Sequence, residues 1–259
     1  MIKENRMSIF VSSPRSYKDV FDVFYFCYNH WWSNSPYPLI LATNYDAKYN
    51  GIIVINSNNE QDSWVNRTIS SLLQIDCEYI LLLCDDLFIK NYVQISYIEH
   101  ILDIMDKNNF NYCSFIPSGK KNNIPGEKYL SYLNKRHPYG RNLQRGIFRR
   151  DYLLKLLGNG ELSAWDLEKC WLSDTFLAAN ECFNKDIITN IDVIPVYHGI
   201  QKGRWFPSVK YRLKKNGICI NGDRETMPIL YEIINVLREK MIYVIKPYIR
   251  YKFKKIIRL

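Results

Sequence analysis

Two adjacent carboxylates, Asp85 and Asp86, follow the apolar run Tyr79-Ile80-Leu81-Leu82-Leu83-Cys84. The run lacks apolar–polar alternation, as expected of a strand in a parallel sheet covered on both faces. Open α/β sheets bind ligands outside the carboxyl ends of their strands, where this acid pair would stand. Neighbouring carboxylates repel each other, so an apolar-flanked pair calls for a cation, basic side chains or water. A divalent ion holding a diphosphate meets that demand, because hard oxygen ligands suit Mg or Mn. The alternative is a solvated strand-end turn with an Asp capping a helix.

The elements that would carry these acids follow from pattern. Ser8–Ser13 reads as a first strand ending in small hydroxyl residues, and Val20–Trp32 as an amphipathic helix. Leu39–Asn44 and Gly51–Ile55 read as strands two and three, and Asp62–Leu73 as a helix with a polar start. The first ~90 residues therefore predict β-α-β-β-α-β, a nucleotide-binding half. Downstream, the pattern predicts a helix over Ile95–Met105, a strand over Tyr112–Pro117 and a polar loop over Gly119–Gly126. A strand-like segment at Tyr139–Phe148 follows, then a helix over Arg149–Leu157 stopped by Gly158-Asn159-Gly160. Ser163 is placed to cap a further helix, with Asp166 at the capping-box position.

At 259 residues and 47% hydrophobic content, the chain can bury one substantial core. Its seven cysteines are scattered without CxxC spacing, which argues against a zinc site or a disulfide framework and for a reducing compartment. The N-terminus lacks a signal-peptide core, and no run of 18 apolar residues occurs, so a cytoplasmic protein is expected. Seven of the nine net positive charges come from Lys240–Leu259, which holds no acid, leaving a body near neutrality. A nucleic-acid surface would usually spread its charge along a body groove, so no nucleic-acid partner is expected.

Five stretches, in order, resemble bacterial glycosyltransferases of the GT-A fold from surface-polysaccharide (capsule and O-antigen) clusters. They are Val11-Ser12-Ser13 with Tyr17-Lys18-Asp19; Ser63-Trp64 with Arg67; Glu78-Tyr79 into Asp85-Asp86; Gln144 and Gly146 with Arg149-Arg150; and Ser163-Ala164-Trp165-Asp166-Leu167-Glu168. The resemblance covers roughly residues 8 to 220. It implies an α/β, Rossmann-like GT-A domain over residues 1–235, with a mixed central sheet flanked by helices, and a basic amphipathic tail over 236–259.

The resemblance also implies roles. Asp85 and Asp86 would meet a divalent cation (Mn or Mg) and the donor diphosphate, although the usual Asp-x-Asp is here an adjacent pair followed by Leu87. Ser12, Ser13 and Tyr17 would lie near the base and ribose of a nucleotide-sugar, UDP-sugar first, and Arg67 near the uracil or diphosphate. Cap or core roles are the alternative for these residues. Glycosyl transfer needs charge to assist departure of the nucleoside diphosphate, and a base for the acceptor hydroxyl. The resemblance puts that base at Asp166 or Glu168, consistent with an inverting reaction; early helix acids also serve as dipole partners. His198 as a further metal ligand, and Lys202 and Arg204 as diphosphate contacts, would come from a loop closing over the donor.

In the tail, Ile242, Ile245, Ile249, Phe253 and Ile256 recur three or four residues apart among the bases. That spacing resembles an interfacial helix at an anionic membrane, placing the enzyme at the inner face of the cell membrane with a glycan or lipid-linked acceptor. Packing of this helix on the body or on a second subunit, hence a homodimer, is the alternative. A non-catalytic nucleotide- or glycan-binding module of an assembly complex is the second functional reading.

Overall fold

The computed structural model describes residues 5–59, 62–116, 122–133, 141–171 and 186–240. The chain forms two compact units, residues 1–197 and 198–259. The expected tail boundary at residue 235 falls inside a helix of the second unit, and residues 241–259 lie outside the described residues.

In the first unit, β1 (Asn5–Ser12), α1 (Lys18–Trp32), β2 (Leu39–Thr43), β3 (Ile53–Asn56), α2 (Trp64–Leu72) and β4 (Cys77–Leu83) reproduce the expected β-α-β-β-α-β half. After it come β5 (Leu87–Ile89), α3 (Ile95–Asn108), β6 (Tyr112–Ser114), β7 (Leu130–Tyr132), β8 (Arg145–Arg149), α4 (Arg150–Leu157), α5 (Ala164–Cys170) and β9 (Asp186–Thr189). The main sheet runs β3-β2-β1-β4-β8-β6-β9-β7. Its first four strands are parallel, whereas β8 is antiparallel to both β4 and β6. This is the mixed, Rossmann-like sheet expected.

β4 has one exposed residue, Glu78, and is otherwise buried, which is why its sequence shows no alternation. Ile80 and Leu82 join a core with Val65 and Leu72 of α2 and Leu153, Leu156 and Leu157 of α4. On the opposite face Tyr79 reaches α3, its hydroxyl bonded to Asp106. Truncating Leu81 or Leu82, both wholly buried, to Ala would cost about 2–5 kcal/mol.

Sequence patterning missed β5, β7 and β9. The first two have only three residues each, and β9 has four, all buried, too few to show a period. The expected strand at Tyr139–Phe148 is shorter, starting at Arg145. Residues 141–144 form a turn, and 134–140 lie outside the described residues.

β10 (Val196–His198) leads into the second unit, which contains β11 (Ile200–Gln201), β12 (Arg204–Trp205), α6 (Pro207–Lys215) and α7 (Ile229–Lys240). β11 and β12 pair antiparallel, Gln201 opposite Arg204. Within the stretch expected to form a loop closing over the donor, Lys202 and Gly203 make a two-residue hairpin turn with φ of 49° and 74°. Two positive φ values match the twist of a tight hairpin, and Gly203 adopts its value without a Cβ penalty.

Candidate functional site

β1 pairs with β2 on one side and β4 on the other, so the chain's winding reverses between β1 and β4. A crevice opens at the carboxyl ends of strands at such a reversal. Ser12 and Ser13 stand at the end of β1, and Asp85 stands two residues past the end of β4. Ser13 Oγ donates to Asp85 Oδ2 at 2.6 Å, bridging the reversal with both residues buried.

Arg67, in the second turn of α2, donates through Nε to Ser12 Oγ at 3.0 Å and through Nη1 to the Asp62 carbonyl at 3.2 Å. Ser63 caps this helix, its side chain accepting from the Asn66 N–H. Arg67 is almost wholly buried. Burial lowers its pKa, while the charges of Asp62 and Asp85 pull it upward. A buried guanidinium so close to the carboxyl strand ends gives the crevice fixed positive charge. The Ser13–Arg15 turn is held by Ser13 N–H to the Ala42 carbonyl and Arg15 N–H to Asn44 Oδ1 at 2.8 Å. Half-buried Tyr17 ends this turn and donates its N–H to Pro14 O.

Asp86 is half-buried beside buried Asp85. The pair fits a hard divalent ion shared with a substrate phosphate, where protein supplies only one or two carboxylates, better than an all-protein cage.

Glu168 belongs to the same strand end. Its Oε1 accepts the Leu143 N–H at 2.7 Å, while Cys84 N–H bonds to Gln144 O and Cys84 Sγ contacts Leu143 O at 3.5 Å. Burial pushes the Cys84 thiol well up, and the charges of Asp86, Asp85 and Glu168 add to it, so three carboxylates act on one sulfur. Burial also raises Glu168, partly offset by the Leu143 N–H. Asp166, two residues away, has a different setting. Ser163 Oγ donates to it at 2.6 Å and Lys169 Nζ at 3.0 Å, which lower its pKa, and its own N–H completes the expected cap. Trp165, between the Ser163 cap and these two acids, is exposed.

Sequence reasoning missed the turn that holds Leu143. Buried Asn142 donates through Nδ2 to Tyr112 OH at 3.0 Å and to Ser114 Oγ at 3.2 Å. Its Oδ1 accepts from the N–H groups of Gln144 and Arg145 at 3.1 Å each. Arg145, opposite Leu83 at the end of β4, donates to Asp192 at 2.9 Å and to Ile194 O at 2.6 Å. Gly146 lets this arrangement close: a Cβ there would lie 2.7 Å from Cys113 O and 2.8 Å from Tyr112 Cε2. An Asn three residues before the Arg-Gly that starts the strand was the available signal.

Ser12, Ser13, Arg67, Asp85, Asp86 and Glu168 thus gather around the carboxyl ends of β1 and β4. His198, Lys202 and Arg204 lie in the second unit. There the His198 ring sits edge-on to Phe206 at 5.9 Å, Lys202 occupies the hairpin turn, and exposed Arg204 pairs with Glu225 at 3.0 Å. Among the described residues no group of three His, Cys, Asp or Glu side chains converges as a metal cage, and no helix is long and apolar enough to cross a membrane.

No family model matches the chain, and neither does any curated protein. Among solved structures it is similar to S. aureus TarS 1–349, at 12% identity and a TM-score of 0.46 over 74% of this chain and 60% of that one. The same TarS fragment in complex with UDP-GlcNAc gives 13% identity and a TM-score of 0.45, over 76% and 59%. A cytidylyltransferase from Leptospira borgpetersenii serovar Hardjo-bovis gives 12% identity and a TM-score of 0.44, over 84% and 98%. The chain spans less than two thirds of the TarS fragment it matches.

Proposed function

We propose that the chain is a glycosyltransferase. It moves a sugar from a nucleotide-sugar, UDP-linked first, to a glycan or lipid-linked acceptor in bacterial surface-polysaccharide assembly of the capsule or O-antigen kind. The carrying observation is the Ser13–Asp85 and Ser12–Arg67 pairing across the strand reversal, with Glu168 held at the same strand end.

In this reading Ser12, Ser13 and Tyr17 receive the base and ribose, and Arg67 offers fixed positive charge to the uracil or diphosphate. Asp85 is the buried anchor, and Asp86, more accessible, faces the diphosphate with Mn or Mg. The ion when bound would neutralise charge developing on the departing diphosphate. Glu168 takes the proton from the acceptor hydroxyl as that oxygen attacks the anomeric carbon, giving inversion. A raised carboxylate is a stronger base than an ordinary one and suits this task. Asp166, already bonded to Ser163 and Lys169, keeps the helix start in place so that Glu168 meets Leu143. The chain works at the inner face of the cell membrane, approached through its basic C-terminal residues.

Calorimetric titration of UDP with and without Mn tests the donor site. Metal-dependent binding that is lost in Asp86→Asn is expected. Metal-independent binding that Lys202→Ala or Arg204→Ala weakens would instead give the diphosphate to those side chains. No binding of UDP, GDP, CMP or dTDP would overturn the reading.

A further inference from the structure

The second unit carries a helix turned outside in. Glu232 of α7 accepts the Ser208 N–H at 3.1 Å and also the Ser208 hydroxyl, so the polar side of α7 faces α6. At 3.6 residues per turn, Ile229, Ile233, Leu237, Leu230 and Ile234 share an arc of roughly 140° on the other side. These five side chains are between 49% and 67% exposed. By contrast α3, in the first unit, buries Ile98, Ile101, Leu102 and Met105 entirely. A contiguous apolar stripe left in water marks an interaction surface.

Charge identifies the occupant. Residues 198–259 hold fifteen Lys and Arg against four Asp and Glu, a net of +11, so residues 1–197 carry −2. On α6, Tyr211 stands exposed with Arg212, Lys214 and Lys215, all exposed. A second copy docking through this arc would bring two strongly cationic units together, which Coulomb repulsion opposes. An anionic lipid surface offers apolar depth and opposite charge at once, the combination that holds interfacial amphipathic helices.

We propose that the outward arc of α7 is a membrane-docking face, inserting Ile229, Leu230, Ile233, Ile234 and Leu237 at an anionic bilayer whose headgroups attract the excess of bases in residues 198–259. This rests on the membrane reading above and assigns insertion to a helix that begins upstream of the basic tail, at Ile229.

The test is flotation of the full chain with phosphatidylcholine vesicles, with and without phosphatidylglycerol. Binding only to the anionic vesicles is expected. The double variant Ile233→Asp/Leu237→Asp should lower that partition by roughly tenfold or more, because two apolar anchors are lost and two negative charges added. Both sites are half exposed, so circular dichroism and UDP titration should remain unchanged. A polar control without added charge, Ile233→Gln/Leu237→Gln, should also lose binding. If the full chain binds anionic vesicles and the Gln variant binds equally, the bases act alone and the docking face is refuted while the membrane reading stands. If the full chain binds neither vesicle type, both fall. If the variants bind vesicles normally but turn a dimer into a monomer by light scattering, the arc is a subunit interface and the proposal is overturned.

Discussion

The two ends of β4 both carry charge, and they use it differently. At the amino end Arg6 pairs with Asp103 and Asp106, each at 2.7 Å, and Arg149 pairs with Glu78 and Asp106 while stacking on the Tyr79 ring. The cavity there is large, about 610 Å³, and is lined by Arg6, Arg149 and Arg150 together with Asp76, Glu78 and Asp151. Its acids and bases balance, so it presents little field to a charged ligand. At the carboxyl end, carboxylates are held by hydroxyl and backbone donors, and the nearby Arg67 bonds to a serine and a carbonyl. Charge compensated by neutral donors keeps its reach toward a ligand; charge compensated by opposite charge becomes scaffold.

The sharpest separation should come from Glu168→Gln. Turnover is expected to fall by about 10²–10⁴-fold, the usual contribution of a general base, with UDP affinity and thermal stability unchanged. The base works deprotonated, so kcat should climb as pH rises through the raised Glu168 pKa, above the ordinary glutamate value of 4.5, and the variant should lose that limb. Unchanged turnover would take the base role from Glu168, whereas no turnover by either protein, with ligand affinity kept in the variant, would favour a binding module.

Ser13→Ala comes next. It strips a hydroxyl from buried Asp85, which should cost about 1.5–3 kcal/mol in urea unfolding, a typical value for a hydrogen bond to a charged group. UDP affinity should fall with it, since the bond spans the crevice. A stability loss with UDP binding intact would move the nucleotide elsewhere.

Arg149→Met is the smallest and the control. Its ion pairs are partly exposed, so about 1 kcal/mol of stability should be lost, with UDP titration unaffected. The loss should shrink in acid. Burial tends to raise Asp106, but hydrogen bonds from Tyr79 and Arg6 overcome it, leaving the carboxyl below its usual range. Its stabilisation is therefore complete above the ordinary carboxylate pKa and fades as pH falls through the lowered one.

Much of this contrast was legible in sequence. The uninterrupted apolar run of β4 announced a doubly covered strand, and the acids after it announced the crevice. Ser163 and Asp166 form the cap their spacing predicted. What sequence left open was every pairing across long separations. Arg67 meets Ser12 across 55 positions, and Leu143 meets Glu168 across 25. Neither follows from periodicity, because strand order and helix tilt decide them. The choice between Asp166 and Glu168 was open for the same reason: both sit on one short helix, and only the neighbouring turn distinguishes them. The α7 stripe shows a further limit, since a 3.6-residue period gives a face without saying which way it looks.

Gly146 couples positions that a substitution scan would treat as separate. Any larger residue there collides with the Tyr112 ring and the Cys113 carbonyl. A smaller side chain at 112 would make room but remove the hydroxyl that Asn142 binds, loosening the turn that presents Leu143 to Glu168. Residues 112, 142 and 146 therefore form one epistatic set. Divergence at any of them is accessible only along paths where the others change in step, and the position of the Glu168 carboxylate is inherited with the set.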